Sequence, residues 1–176
     1  MRTALILCAL WALAAGGCGP GEPFPSGSEP GSIYHPLRDG PASPELLAAR
    51  AATAGWVTVT SIESAIEPRT GLPFTTFTAT VDEGLRGCSA GDLLSWRLLG
   101  GTAGGRTVRL HDAPGFRPDE RALVLLTEPG AAGWPKLVGL GAGKWQPLDD
   151  DARSLHSNAG VVNAAHFTEL LRRPKP

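Results

Sequence analysis

The chain has 176 residues, a formal net charge of −1 and three cysteines. That length suits one domain with a modest core, and the near-neutral balance argues against a dedicated nucleic-acid binder, which carries a clear basic excess. No apolar run reaches the roughly 20 residues that a membrane-spanning helix needs.

The chain opens with one basic residue, Arg2, and an apolar stretch from Ala4 to Ala15. A basic start, a short apolar core and a small-residue site form the layout of a secretory signal. Residues 1–17 are therefore expected to be a signal peptide. Its last residues, Leu13-Ala14-Ala15-Gly16-Gly17-Cys18, resemble the lipobox of bacterial lipoproteins, with Ala15 where that box usually has Leu. The resemblance implies cleavage before Cys18 and acylation of Cys18, palmitate-type chains included. Each buried CH2 contributes about 0.8 kcal/mol, so several chains anchor firmly. Gly19 follows in place of an Asp that would signal retention in an inner membrane, which points to the outer membrane in a Gram-negative host. The competing reading is plain secretion, with cleavage at Ala12-Leu13-Ala14.

Residues 18–42 are rich in Gly, Pro and Ser. Such a segment has too little apolar surface to order itself and reads as a tether to a lipid anchor. The folded domain is expected over 43–173. Ser43 can cap a helix with Pro44 at its first position and Glu45 near its positive end. Leu46, Leu47, Ala51 and Ala54 supply the packing face, and Gly55 stops the helix.

From Trp56 the period changes to two. Trp56 to Ile62 reads as a strand, Pro68 to Pro73 as a turn, and Phe74 to Val81 as a second strand. Phe77, Ala79 and Val81 alternate with Thr76, Thr78 and Thr80, as in an antiparallel sheet with one buried face. Leu93 to Leu99 is a third strand, and a glycine-rich hairpin at 100–105 leads into Arg106 to Leu110. Ala122 to Leu126 is apolar throughout, which predicts a strand buried on both faces. Trp134 to Leu140 and Lys144 to Leu148 read as two more strands around Gly141-Ala142-Gly143. Asn163 caps a final helix that presents Phe167, Leu170 and Leu171, with Val162 as a hydrophobic staple and Pro174 as its stop. Many short strands with regular turns predict a mainly β fold: a small antiparallel barrel with an N-terminal and a C-terminal helix.

The segment order resembles small exported bacterial OB-like barrel proteins and, more remotely, the netrin-like barrel of metalloproteinase inhibitors. The residues that carry it are Trp56 to Ile62, Thr76 to Gly87, Gly100-Gly101, Ala113 to Phe116 with Asp119-Glu120, Ala122 to Leu126, and Val138 to Lys144. It implies an OB-like barrel that binds through its loops. The inhibitors act through a free amino-terminal cysteine, which an acylated Cys18 is not, so inhibition is not implied.

Chemical motifs are sparse. Gly87-Cys88-Ser89-Ala90-Gly91 fits the G-x-S-x-G nucleophile elbow, with Asp112 or Asp149 and then His156 to complete a triad. The flanking segments read as antiparallel β, which favours a turn. Gly139 to Lys144 lacks phosphate-loop spacing and places Trp145 at the hydroxyl position. Asp149-Asp150-Asp151 lacks the spacing of a calcium loop, and the four histidines lack zinc spacing. Arg97, Arg106 and Arg109 with Trp96 form a candidate basic surface. Cys88 is left single, so no internal disulfide is expected.

The expected function is that of a non-enzymatic, lipid-anchored envelope protein without metal or cofactor. Its partners are the membrane and an envelope protein or polysaccharide, with no nucleic acid. Loops 100–105, 113–120 and 128–135 are the contact candidates. A small secreted hydrolase using Ser89 and a structural envelope component are the alternatives.

Overall fold

The computed structural model describes residues 42–174. The expected signal peptide, Cys18 and the expected tether up to Pro41 lie outside the described residues. Two helices flank nine strands: α1 (Pro44–Arg50), β1 (Thr53–Ile66), β2 (Pro73–Arg86), β3 (Leu93–Leu99), β4 (Gly101–Ala103), β5 (Arg106–Val108), β6 (Arg121–Leu126), β7 (Lys144–Pro147), β8 (Ser154–Ser157), β9 (Gly160–Asn163) and α2 (Ala164–Arg172). No helix among them is long and apolar enough to cross a membrane.

Seven strands form one antiparallel sheet in the order β3-β2-β1-β6-β7-β8-β9, and β4 and β5 form a separate hairpin. The mainly β, antiparallel expectation holds, with a helix at each end. No pairing closes the sheet into a barrel among the described residues. The loop after β6 instead reaches β3 through side chains: the Arg97 guanidinium lies 5.3 Å from the Trp134 ring centroid and 5.1 Å from that of Phe74.

β6 explains how the sheet is filled. Its residues Ala122 to Leu126 are all buried, as their unbroken apolar run predicts. Leu123 and Leu125 join a core with Leu47, Trp145, Leu155, Phe167 and Leu171, so both helices cover that face. Ala122, Val124 and Leu126 join the opposite core with Val57, Val59, Phe77, Val81 and Trp96. Register shifts between β1 and β2 distribute other residues between these faces. Val81 and Leu85 would share a face in a regular strand, yet the shifts opposite Ala54 to Val57 turn Leu85 into the helix-covered core.

The helix ends follow local chemistry. The Ser43 side chain accepts from the Leu46 amide, and the Asn163 side chain accepts from the His166 amide. Val162 packs against the core that holds Phe167, where the staple places it.

Other expectations need correction. The first helix ends at Arg50, Leu46 is exposed, and Gly55 lies inside β1 rather than ending the helix. A Cβ at Gly55 would come within 2.9 Å of the Glu83 carbonyl, so glycine there permits close strand approach. Segment 134–140 makes only one bridge, Leu137 to Leu126, because left-handed conformations at Gly139 and Leu140 turn the chain into a short 3-10 segment. The β8–β9 hairpin, with its four-residue strands, was not expected.

Candidate functional site

The connection from β5 to β6 carries a dense polar network, at loop 113–120. Its far end is fixed by backbone: the Asp119 amide donates to the Val59 carbonyl at 2.9 Å, and the Val59 amide donates to the Glu120 carbonyl at 3.0 Å. The Glu120 carboxylate accepts from the Arg117 amide at 2.8 Å, closing the turn around Pro118. Asp119 occupies the left-handed region there, with φ 62°, which Asp tolerates better than most residues.

Lys144, on β7, fastens this loop. Its Nζ lies 2.6 Å from Glu120 Oε1, donates to the Gly115 carbonyl at 2.5 Å, and sits 4.5 Å from the Phe116 ring centroid. Gln146 Nε2 donates to the same Glu120 oxygen at 2.5 Å. The Lys144 and Glu120 side chains are only 10% and 14% exposed. Desolvating two charges is costly unless nearly every hydrogen-bonding position is used, and here both are extensively paired. Phe116 in turn packs on Phe77 and Trp96, with centroids 4.9 and 5.2 Å away. The sequence marks the loop but not this pair, whose members are far apart in the chain; Lys144 reads there as the end of a glycine-rich segment and the start of a strand, which β7 is.

The loop separates two clefts. One, of about 570 Å³, runs along Phe116 to Glu120 beside Lys144 and Gln146. The other, of about 280 Å³, lies between β2–β3, the β4–β5 hairpin and residues 109–115. Gly100 and Gly101, with φ of 121° and 110°, let the hairpin fold back there. A Cβ at Gly101 would come within 2.5 Å of Ser64 Oγ, and Thr75 Oγ1 holds the Gly100 carbonyl at 2.8 Å. The third contact loop, 128–135, contributes Trp134 to the Arg97 contact.

The remaining candidates fall elsewhere. Ser89 lies in the turn joining β2 to β3, where its amide donates to Asp92 Oδ2 at 2.8 Å. A strand follows it, whereas a nucleophile elbow needs a helix. No hydrogen bond joins Ser89 to Asp112, Asp149 or His156 among the described residues. Asp149 instead accepts from the Arg153 amide in its own turn, and His156 pairs in β8 between Gln146 and Val161. Cys88 is half-buried, donates to the Ala54 carbonyl at 3.4 Å, and burial pushes its thiol up from its ordinary value.

The basic surface with Trp96 does not form. Trp96 is fully buried, while its neighbour Arg97 points to the other face and pairs with Glu67 at 3.0 Å. Successive strand residues face opposite ways, so the two could not share a surface. Arg106 donates to the Gly71 carbonyl at 2.9 Å, and Arg109 borders the smaller cleft. No group of three or more His, Cys, Asp or Glu side chains suited to a metal occurs among the described residues.

Comparison with protein-family models, curated proteins and solved structures finds no match.

Proposed function

We propose that this chain is a non-enzymatic bacterial envelope lipoprotein. Cys18 carries the acyl chains, residues 18–42 form the tether, and the β domain offers loop 113–120 to an envelope protein or polysaccharide. The observation that carries the binding part is the fastening of that loop by Lys144, with a cleft on each side. Contact residues held on a rigid scaffold lose little conformational freedom on binding. The anchoring part rests on the small residues before Cys18 and the short apolar run preceding them. An OB-like relationship is the finer architecture of this proposal, supported by the two long antiparallel strands and the side-chain contact between the β6 loop and β3.

Metabolic labelling with a clickable palmitate analogue and crosslinking capture from intact cells test both parts. The native chain should take the label and capture one dominant partner, and Cys18→Ala should lose the label. Arg117→Ala, at an exposed side chain on the larger cleft, should reduce capture while leaving the label intact. An unlabelled native chain released to the medium would reject anchoring. Undiminished capture by Arg117→Ala would reject this loop as the contact.

A further inference from the structure

The smaller cleft has a lining unlike the rest of the loop region. Val108, Leu110, Ala113 and Pro114, all half-buried, supply the apolar wall that water reaches, and Phe77 and Leu98, which also line the cleft, are already buried in the adjoining core. The hydroxyl of Thr75 is engaged by the Gly100 carbonyl and Ser64 Oγ, both at 2.8 Å. One charge borders the cleft: Arg109, which is exposed and forms no ion pair or hydrogen bond among the described residues. Arg106, on the same hairpin, has its guanidinium turned to the Gly71 carbonyl.

The geometry points to a binding site for a medium-chain carboxylate, with its alkyl chain along the apolar walls and its carboxylate on the Arg109 guanidinium. The chain would extend the Phe77–Leu98 core and remove apolar wall from water. A guanidinium suits a carboxylate because its parallel donors match the two oxygens. Size limits the ligand, since about 280 Å³ falls just below the roughly 300–1,000 Å³ range of ligand pockets. Chemistry limits it as well. An apolar peptide terminus would bring amide groups into the walls, where the Thr75 hydroxyl already has partners and burial without partners is costly.

Titration calorimetry and amide NMR on the purified full chain carrying Cys18→Ala test this site independently of acylation and of any envelope partner. Octanoate should bind saturably, at least about tenfold more tightly than octanol. Shifts should centre on Leu98, Val108 and Leu110. Arg109→Gln should reduce octanoate binding to the octanol level, and Ala113→Leu, which narrows the cleft, should weaken both ligands. Absence of saturable octanoate binding, equal binding by Arg109→Gln, or shifts centred in the helix-covered core would overturn the assignment. So would a leucine-terminated peptide that binds more tightly than octanoate.

Discussion

Arg86 holds together parts of the chain that local sequence patterns do not connect. Its Nη1 donates to the Ala48 and Ala51 carbonyls at the end of α1, and its Nη2 donates to the Leu170 and Arg173 carbonyls at the end of α2. Helix C-termini carry unpaired carbonyls and partial negative charge, so one guanidinium satisfies both ends. Burial lowers its pKa, and the carbonyl bonds offset that cost. Arg86→Met should destabilise the fold by about 2–4 kcal/mol, read as a shift in denaturant midpoint. Arg86→Lys should recover only part, because one ammonium cannot reproduce the planar fork; full recovery would mean that charge alone accounts for the effect. Cys88 gives a pH signature. Its thiol pKa is raised in the fold, first by burial, so the folded state retains its proton where the unfolded chain loses it. The associated stability is complete below the ordinary value of 9.0 and is lost as pH rises through the higher folded value. Cys88→Ala should flatten that alkaline decline in pH-dependent unfolding. Neither residue's role was legible in the sequence: the bonds of Arg86 span 35 to 87 positions, and Cys88 meets Ala54 only across a strand register.

Elements with strong local signals were legible, and those defined by distant partners were not. For α2, the cap at Asn163, the staple at Val162, the apolar spacing and Pro174 all agree within a dozen residues, and the helix occupies Ala164–Arg172. Asn163→Ala should therefore cost about 1 kcal/mol in thermal or denaturant unfolding; an unchanged midpoint would show that packing of Phe167 and Leu171 fixes this end without the cap. β2 and β6 were similarly plain, from an alternating segment and an unbroken apolar run. β8 and β9 escaped notice because four residues give too short a period, and exposed Val161 beside His156 leaves little alternation. Segment 134–140 failed for the opposite reason: its apolar residues resemble a strand, but Pro135 lacks an amide donor and Gly139 turns the backbone. The candidate site followed the same rule. Loop 113–120 was marked by Pro, Gly and charged residues, whereas Lys144 needed β7 beside β6 to reach Glu120.

At the scale of the molecule, β6 makes the two cores one cooperative system. Helices close one face, with Phe167 of α2 packed on Trp145, and loop 113–120 closes the other over Phe77 and Trp96. β6 sends alternate side chains into both, and its backbone pairs with β1 and β7. Losing order on one face therefore removes the wall of the other. Leu123→Ala and Val124→Ala, neighbours that enter different cores, should each lower a single unfolding transition, the leucine by about 2–5 kcal/mol and the valine by less. Tryptophan fluorescence and far-ultraviolet circular dichroism should then report the same midpoint in both variants, as a two-state domain requires. Separate midpoints for the two probes, or a tryptophan signal that changes in two steps because Trp145 and Trp96 sit in different cores, would show that the cores melt independently. Coincident midpoints would mean that loop 113–120 and its clefts persist for as long as the helices remain docked, so a substitution under α2 would reduce binding only by lowering the folded population.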